Sequence, residues 1–383
     1  MNRTALILGA GLGGVVAAET LRRLLPAGHR VVAVERAERY VFPPSLLWLM
    51  VGTRTAEQIS RPCAVLSRRG IELVRGEVTA IRPRALEVAV NGQMLRGDAL
   101  VIALGAEYAM EGIPGLAASG HCFYTLEGAQ RAREALDAFA GGRIVVLTAT
   151  PMYKCPAGPY EAALLVEDLL RRRGIRERAQ IDFYAAEPGP MMTAGPEVSA
   201  ALRAMIEARG ISYHPEHQVQ LADPESRTLQ FANGAKVGYD LLLYVAPHRA
   251  PQAVREAGLT NEAGWIPVDR YTLETTHKNV FAIGDVTVIP LKIGRPLPKA
   301  GVFAHGQAET VARNIARAWT GAGASKRFDG EGACFIEVGS GRAGMGSGNF
   351  YAEPAPQVRL RAPSFLWHGA KVLYEKYWLF SRF

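Results

Sequence analysis

The sequence has few cysteines and no long apolar run. Its 383 residues include four cysteines, none of them in the C-x-x-C spacing typical of zinc sites, so no metal site is expected. A long chain with so few cysteines is not a disulfide-stabilised scaffold, and a cysteine with a function here would serve redox chemistry. Because no stretch of 18 apolar residues exists, no segment is expected to cross a bilayer as a helix.

Clusters of basic residues are also missing, although the chain is basic overall. Lys and Arg number 44 against 36 Asp and Glu, which gives a formal net charge of +8. No run of five or more Lys or Arg occurs and no nucleic-acid-binding motif is present, so nucleic acid is not expected as a partner. The charge instead suits an anionic membrane or a small anionic substrate. With 49% hydrophobic residues, the chain is long enough for two or three folded domains.

The N-terminal segment has the order strand, glycine turn, helix, strand and acidic residue. A buried strand is predicted at Thr4–Leu8, a helix over 15–25 and a second strand over 30–34. The turn after the first strand has G-x-G-x-x-G spacing, with Gly9, Gly11 and Gly14. Glycines there allow the backbone to approach a pyrophosphate, and Glu35 after the second strand can accept a hydrogen bond from a ribose hydroxyl. This order predicts a dinucleotide-binding unit and argues against a signal peptide at the apolar start.

A second unit follows, in which the turn after the first strand carries a cysteine instead of glycines. Strands are predicted over 143–149, 180–186 and 241–245, with helices over 160–173 and 197–209. Between its first strand and first helix the chain reads Thr-Pro-Met-Tyr-Lys-Cys-Pro-Ala-Gly-Pro, which contains Cys155. Because this turn lacks the glycines that a phosphate-binding turn needs, we interpret it as a nicotinamide site that has been lost.

Three further residues stand where open parallel sheets bind ligands. A strand over 100–105 ends at Gly105, and a strand over 279–285 ends in Gly-Asp, which places Asp285 at the carboxyl edge of its sheet. Lys299 precedes a helix predicted over 300–319. These positions are candidate cofactor contacts, although a lysine is more often a solvated charge.

The alternation of strands and helices predicts an α/β protein with two Rossmann-like domains, each a doubly wound parallel sheet, and a small C-terminal module with an amphipathic helix. The first domain is discontinuous, over 1–108 and 247–320. The second domain spans 109–246, and the C-terminal module spans 321–383. Within the first domain a helix is predicted over 59–66, with Cys63 in the core.

Together these pieces resemble the flavin disulfide-reductase superfamily over essentially the whole chain. Cys155 with its prolines, the Cys334-Phe335 pair and the aromatic tail resemble, more particularly, the sulfide:quinone oxidoreductases and the related flavin subunit of flavocytochrome c sulfide dehydrogenase. The resemblance implies FAD as the cofactor, in contact with Gly9, Gly11, Gly14, Glu35, Gly105, Asp285 and Lys299. It implies oxidation of sulfide to polysulfide or zero-valent sulfur, with the electrons passed to membrane quinone.

Carried over residue by residue, the resemblance makes Cys155 and Cys334 the catalytic redox pair. Cys122 matches a third cysteine, through which some relatives attach FAD, and Glu161 matches an acid near the sulfur site. The positions that match the quinone pocket are Phe335, Lys371 and Tyr374.

Two departures from the family pattern concern the attachment of FAD and the handling of protons. The segment 41–47 lacks the cysteine through which the soluble relatives attach FAD, so that linkage is not expected. Leu126 stands where some quinone-linked relatives have a histidine, four residues after the third cysteine.

The thiol chemistry sets requirements of its own. Hydrosulfide attacks one sulfur of a disulfide and releases the other as a thiolate. This favours a lowered thiol pKa, which we expect for Cys155 because the N-terminus of the helix that follows it stabilises a thiolate. Glu161 lies about one and a half turns into that helix, where it can move a proton, although the helix dipole alone also explains an acid in a first turn.

The segment 364–383 is rich in aromatic residues. Apolar side chains recur there at helical spacing, at Leu366, Ala370, Leu373, Tyr377 and Phe380. Trp367, Tyr374 and Trp378 widen this face, and the charged residues lie elsewhere. An aromatic amphipathic helix with basic residues is typical of a membrane interface. The alternatives are a helix packed on the protein's own core and a dimer contact.

We therefore predict an FAD enzyme, peripheral to the cell membrane, that oxidises sulfide and reduces quinone. Its expected partners are sulfide, quinone and the lipid surface, while the membrane face and the oligomeric state, a homo-oligomer included, stay open. Three alternatives also stay open: the flavin subunit of a cytochrome-coupled sulfide dehydrogenase, a type-II NADH:quinone dehydrogenase, and a redox-sensing flavoprotein without turnover. The NADH alternative requires a glycine turn after strand 143–149, which this sequence lacks.

Overall fold

The structure, a computed structural model, describes residues 2–383, in which two five-stranded parallel sheets form. The strand order of the first sheet is Val280–Ala282, Ala99–Ile102, Thr4–Leu8, Arg30–Glu35 and Glu72–Arg75. Its central strands are apolar runs buried on both faces, as expected of parallel strands covered on both sides. The long helices Leu12–Leu24 and Gly301–Thr320 pack against each other on one of these faces.

The second sheet repeats this architecture. Its strand order is His121–Cys122, Leu241–Val245, Gly142–Thr148, Ala179–Ala185 and Ile211–His214, all parallel. The helices that pack against it are Leu126–Ala138, Gly158–Arg172 and Pro196–Glu207. The two parallel sheets confirm the predicted α/β fold class, whereas the exact domain boundaries remain a prediction.

An antiparallel three-stranded meander accompanies each parallel sheet. The first meander consists of Val78–Arg82, Glu87–Val90 and Gln93–Arg96. The second consists of Val219–Asp223, Thr228–Phe231 and Lys236–Gly238. The repetition of sheet and meander gives the two units matching layouts.

Shorter elements connect these units. The short α-helices are Leu46–Met50, Leu116–Ser119 and Gln252–Glu256. The single-turn or 3₁₀ segments are Pro43–Ser45, Cys63–Arg69, Met110–Gly112, Arg176–Arg178, Met192–Ala194 and Gly284–Val286. The short paired strands are Arg39–Val41 with Ser60–Pro62, Glu107–Tyr108 with His248–Arg249, and Ile266–Pro267 with Thr287–Val288.

The C-terminal sheet consists of the antiparallel strands Glu331–Gly339, Arg342–Asn349 and Gln357–Ser364. Its first strand packs against both Gly158–Arg172 and Gly301–Thr320, so it touches the helices of both parallel sheets. The C-terminal helix, Phe365–Ser381, starts at Ser364, whose hydroxyl accepts a hydrogen bond from the Trp367 N–H. The predicted C-terminal helix is therefore confirmed.

The C-terminal helix turns charged side chains toward the protein and apolar ones outward. Lys371 and Glu375 are 6% and 0% exposed, and they pair with Glu161 at 2.5 Å and with Arg54 at 3.0 Å. The outward side chains are 58–85% exposed: Phe365, Leu366, Leu373, Tyr377 and Phe380. Trp378, which the sequence placed on the apolar face, is buried instead, because it shares the inward side of the helix with Lys371 and Glu375 and its ring lies 6.1 Å from that of Phe42.

Two predicted helix starts differ from the structure by two or three residues, and one predicted helix does not form. The first long helix begins at Leu12 rather than residue 15, and the helix after Cys155 begins at Gly158, because proline at position 159 suits a first helical turn. The helix predicted over 59–66 is wrong. Those residues form the strand Ser60–Pro62 and a 3₁₀ segment, Cys63–Arg69, since Pro62 offers no N–H for a helix.

Candidate active site

A cavity of about 1330 Å³, the central cavity, lies where the carboxyl edges of the two parallel sheets meet the C-terminal sheet. Most of the candidate residues line it: Gly9, Gly11, Glu35, Gly105, Cys155, Glu161, Asp285, Lys299, Cys334, Phe335, Lys371 and Tyr374. Gly14 and Cys122 do not. The structure therefore brings together residues from both units and from the C-terminal module.

The glycine turn, residues 9–14, forms one end of the central cavity. Gly9 has φ +94°, and a Cβ on it would lie 2.6 Å from the Ala103 carbonyl oxygen. A Cβ on Gly14 would lie 1.8 Å from the Gly9 carbonyl oxygen, so Gly14 shapes the turn without lining the cavity. Gly11 caps the helix Leu12–Leu24 without a side-chain hydrogen bond, so the first N–H groups of the helix can bind an anion.

Glu35 is held beside this turn. Its carboxylate accepts hydrogen bonds from the Ala10 N–H at 2.7 Å and from the Ala37 N–H at 2.8 Å, and it also faces the cavity. An ionised carboxylate has about four acceptor positions, so these bonds leave capacity for ribose hydroxyls. The glycines and Glu35 thus fit the pyrophosphate and ribose of a dinucleotide.

Asp285 reaches the cavity through a tight turn at the end of the strand Val280–Ala282. Gly284 has φ +73°, and the turn is fastened by Lys299, whose ammonium donates to the carbonyl oxygens of Asp285 at 2.7 Å and Thr287 at 2.8 Å. Burial lowers the pKa of Lys299 to about 7, against the opposing charge of Asp285. Lys299 therefore holds the turn that carries Asp285 and is not a solvated charge.

Cys155 also lines the cavity, in the cysteine turn, residues 149–157. Its φ is +50°, a conformation that few residues other than glycine adopt. Its N–H donates to the Lys299 carbonyl at 2.6 Å, and its own carbonyl accepts from the Gly158 N–H and from the Tyr124 hydroxyl at 2.7 Å. Both units therefore fix the backbone of this cysteine.

Cys334 comes to the same place from the strand Glu331–Gly339 of the C-terminal sheet. Both thiols are free. Burial, the Glu161 carboxylate and the Cys334 thiol raise the pKa of Cys155 to about 12, and burial and Glu161 raise the pKa of Cys334 to about 11. Both thiols line the same cavity and both are influenced by Glu161 and Lys371, so they lie in the same part of the site.

These raised values contradict the expectation of a lowered pKa for Cys155. The thiol faces the cavity, yet the protein around it and the nearby carboxylate disfavour the thiolate more than the helix N-terminus favours it. Both cysteines are consequently thiols near neutral pH, and a nucleophilic role requires a base.

Glu161 and Lys371 form a buried ion pair beside the thiols. The Lys371 ammonium donates to Glu161 at 2.5 Å, and the Glu337 backbone N–H donates to the same carboxylate oxygen at 3.1 Å. Burial raises the pKa of Glu161, which Lys371 opposes, so Glu161 is a stronger base than a solvated carboxylate. The sequence had assigned these residues to separate sulfur and quinone sites, and the structure joins them.

Phe335 and Tyr374 lie on the side of the cavity formed by the C-terminal module. Phe335 follows Cys334 in the same strand, and the Tyr374 ring lies 5.9 Å from the ring of Phe42. Aromatic side chains next to the buried Lys371 ammonium make this side suitable for a flat ring with a polar oxygen.

Cys122 is not grouped with the other two thiols. It is 4% exposed, it ends the edge strand His121–Cys122, and burial raises its pKa. The residues that influence it electrostatically include Lys154, and it does not line the central cavity. The role implied for Cys122 remains a prediction.

Two cavity residues were missed by the sequence reasoning. Tyr124 fixes the Cys155 carbonyl, and no sequence signal marks it. Glu187 is 7% exposed and stands just after the strand Ala179–Ala185. The position of Glu187 in the sequence could have indicated a role at the cavity, because Glu35 ends the matching strand of the first sheet.

Comparison with known proteins agrees with this geometry. A family model described as pyridine nucleotide-disulphide oxidoreductase matches residues 3–308. The sulfide-quinone reductase of Aquifex aeolicus (strain VF5) is 28% identical, with 100% of this chain and 91% of that protein covered. The mitochondrial sulfide:quinone oxidoreductase of Mus musculus is 26% identical, with 91% and 78% covered. A type II NADH:quinone oxidoreductase of Staphylococcus aureus is 23% identical, with 84% and 83% covered.

Among solved structures, the sulfide:quinone oxidoreductase from Aquifex aeolicus superposes with a TM-score of 0.90 at 26% identity, covering 99% of this chain and 91% of that one. The predicted resemblance to flavin disulfide reductases is thereby confirmed. The glycine turn, Glu35 and the Asp285 edge fit FAD, the cofactor of these flavoproteins. This chain therefore belongs to the pyridine nucleotide-disulphide oxidoreductase family.

Proposed function

We propose that this protein is an FAD-dependent enzyme that oxidises sulfide and passes the electrons to quinone. The balanced reaction is hydrosulfide plus quinone plus a proton, giving zero-valent sulfur, free or in a polysulfide, plus hydroquinone. The observation that carries this proposal is the meeting of Cys155 and Cys334 in a cavity whose other end fits FAD. The relatives with sulfide and quinone in their names match along the whole chain, which supports the same reaction.

In the sulfur half-reaction, a disulfide between Cys155 and Cys334 accepts hydrosulfide. The incoming sulfur bonds to one cysteine as a persulfide, and the other cysteine leaves as a thiolate. FAD, held by the glycine turn, Glu35 and the Asp285 turn, would supply the two-electron acceptor between the cysteine pair and quinone. Glu161 accepts the proton that hydrosulfide brings to the persulfide, because the pKa of Glu161 is raised and it lies beside both cysteines.

The quinone half-reaction belongs to the side formed by the C-terminal module. Phe335 and Tyr374 provide aromatic walls, and the Lys371 ammonium provides a donor for a quinone oxygen. Glu161 and Glu337 hold the pKa of Lys371 above its ordinary value despite burial, so this donor stays charged at neutral pH.

The test is an anaerobic titration of the flavin spectrum with sulfide. We expect sulfide to bleach the flavin absorbance of wild type and of Cys63→Ala, because Cys63 lies in the core and does not line the cavity. Cys155→Ser and Cys334→Ser should bind FAD but not bleach. With sulfide as donor, a quinone analogue should reoxidise the flavin, and cytochrome c should not. Bleaching by NADH without any response to sulfide would refute the proposal and favour an NADH dehydrogenase.

We further propose that the outward side of the C-terminal helix rests on a lipid surface. Among residues 2–383, no helix has the length and apolar character needed to cross a membrane. Instead, the exposed side chains of Phe365, Leu366, Leu373, Tyr377 and Phe380 form an apolar strip. This strip lies on the same helix as Tyr374, which lines the proposed quinone side of the cavity. A quinone dissolved in lipid reaches the cavity most directly from such a contact.

Flotation with vesicles of phosphatidylcholine and phosphatidylglycerol tests the lipid contact. Phe380→Glu removes a side chain that is 85% exposed and should weaken binding about tenfold, the effect of withdrawing one aromatic ring from lipid. Lys376→Glu changes the net charge more but leaves the apolar strip intact. Should Lys376→Glu weaken binding more than Phe380→Glu, charge and not apolar contact would drive it.

A further inference from the structure

Glu187 lines the central cavity, but the sulfide chemistry above gives it no task. It follows the strand Ala179–Ala185, as Glu35 ends the strand Arg30–Glu35 of the first sheet. Glu35 accepts from backbone N–H groups and faces the cavity with capacity to spare. The two acids therefore hold the same place in the chain order, and their partners can be compared directly.

Three hydroxyl groups converge on the Glu187 carboxylate. Thr148 donates to one oxygen at 2.7 Å, and Tyr153 and Tyr160 donate to the other at 2.6 and 2.8 Å. An ionised carboxylate is only an acceptor, so three donors match its charged form. Burial raises the pKa of Glu187, and these hydrogen bonds oppose that rise.

The three donors bracket the cysteine turn. Thr148 is the last residue of the strand before the turn, Tyr153 lies two residues before Cys155, and Tyr160 lies in the first turn of the following helix. Tyr160 is fully buried and stacks on Phe183 at 4.6 Å, which makes it a rigid anchor. Glu187 thus connects the beginning, the middle and the end of this segment.

The turn needs such support because of the backbone of Cys155. A cysteine at φ +50° persists only where its surroundings over-determine it. Lys299 and Tyr124 fix the turn through the backbone of Cys155 itself. Glu187 fixes it from the other side through the hydroxyl groups.

We propose that Glu187 is a positioning residue that holds the Cys155 thiol in its reactive place. The acid that would hold a ribose in a dinucleotide-binding unit is here occupied by the turn that replaced the glycines. The proposal rests on the sulfide function only in naming Cys155 as the reacting thiol.

Alkylation of the holoenzyme by iodoacetamide tests this placement, with Cys334 as the internal reference. In Glu187→Gln, one acceptor oxygen becomes an NH₂ group and the turn loosens. Cys155 then moves away from the Glu161 carboxylate that raises its pKa, so the ratio of Cys155 to Cys334 alkylation rates should rise at least about threefold. The kcat/KM for sulfide should fall about tenfold to a hundredfold, because a displaced nucleophile reacts poorly. A general loosening of the fold would raise both alkylation rates together and leave their ratio unchanged.

Glu167→Gln is the matched control. Glu167 is another buried acid of the second unit, and it pairs with Arg171 and Arg209 rather than with the cysteine turn. It should lower stability and leave the alkylation ratio unchanged. An equal change of the ratio in both variants, or an unchanged ratio in Glu187→Gln, would overturn the proposal.

A double variant covers the case in which Glu187→Gln does not fold. Tyr153→Phe with Tyr160→Phe removes two of the three donors and should reproduce the rise in the alkylation ratio. An unchanged ratio in the double variant contradicts the proposal. If Glu187→Gln raises the alkylation ratio as expected but the wild-type flavin does not respond to sulfide, the proposed function is refuted and the positioning role of Glu187 stands.

Discussion

The glycine turn and the cysteine turn occupy the same place in two sheets of one architecture, and they are built in opposite ways. The glycine turn is mostly backbone, with no room for a Cβ at Gly14 and with no side chain capping the first N–H groups of its helix. The cysteine turn is filled with side chains, and its neighbouring acid is occupied by three hydroxyl groups. The comparison teaches that one place in this architecture can present backbone N–H groups in one unit and a thiol in the other, depending on which side chains fill it.

The electrostatics of the two turns differ in the same sense. The first turn and its helix N-terminus favour negative charge, as a pyrophosphate requires. The cysteine turn lies beside Glu161. Burial and the Glu161 carboxylate raise the pKa of Cys155 and of Cys334, and the Lys371 ammonium opposes this rise. The first site is therefore prepared for a fixed charge, and the second for a charge that appears only during reaction.

Of the variants that test this comparison, Gly14→Ala should have the largest effect on stability and on FAD binding. Its Cβ would lie 1.8 Å from backbone, which cannot yield as a side-chain end can. We expect a loss of about 3 kcal/mol or more in the free energy of unfolding, and no retained FAD. Thermal unfolding and the flavin absorbance of the purified protein measure both.

Gly11→Ala is the control for that change. A Cβ on Gly11 meets nothing within 4 Å, and the residue has a negative φ of −68°. Its cost should be about 1 kcal/mol, that of a poorer helix cap. Equal destabilisation by the two variants would show that the turn is sensitive to any side chain, and the steric account of Gly14 would be wrong.

Glu35→Gln and Glu187→Gln separate the two acids. A glutamine at position 35 offers an NH₂ group where the Ala10 and Ala37 N–H groups need acceptors, and the ribose loses a charged partner. The retention of FAD should fall about tenfold to a hundredfold, the equivalent of about 1.5–3 kcal/mol for hydrogen bonds to a charged group. Glu187→Gln should retain FAD, measured as bound flavin after gel filtration. A comparable loss of FAD in both variants would contradict the claim that Glu35 binds the cofactor whereas Glu187 holds the cysteine turn.

The parts of this protein that follow local rules were predictable from the sequence. The strand, glycine turn, helix and acid of the first unit follow from residue spacing, because neighbouring residues create the site. The departure at Cys155 was visible for the same reason, since glycines were absent where the order of elements required them. The consequence for its pKa was not, because the burial and the Glu161 charge that raise it arise only in the folded chain.

The parts that depend on remote contacts were not predictable. Lys371 and Glu161 are 210 positions apart, and nothing in either segment indicates the pair. The same holds for the C-terminal helix. Its apolar stripe was evident from spacing, but the direction of the stripe depends on remote partners such as the half-buried Arg54, which pairs with the inward Glu375.

Removing the Glu161 charge beside the cysteine turn should have the smallest effect of these variants, and the most specific one, on the reactivity of Cys155. Glu161 raises the pKa of Cys155 and Lys371 lowers it, with Glu161 the larger influence. In wild type the alkylation rate of Cys155 should increase with pH up to about 12, where its thiol ionises. Glu161→Gln removes the raising charge, so the curve shifts to lower pH and the rate at pH 9 increases about threefold to tenfold, while turnover falls for lack of a base.

The double variant Glu161→Gln with Lys371→Met decides whether this shift is electrostatic. Removing the lysine withdraws the charge that favours the thiolate, so the rate at pH 9 should fall below that of Glu161→Gln and approach wild type. A loosened site would give the opposite order, since deletion of both partners opens the cavity further and would expose the thiol more. The order of the three rates therefore shows whether the cysteine turn controls its thiol by charge, as the glycine turn controls its ligand by backbone.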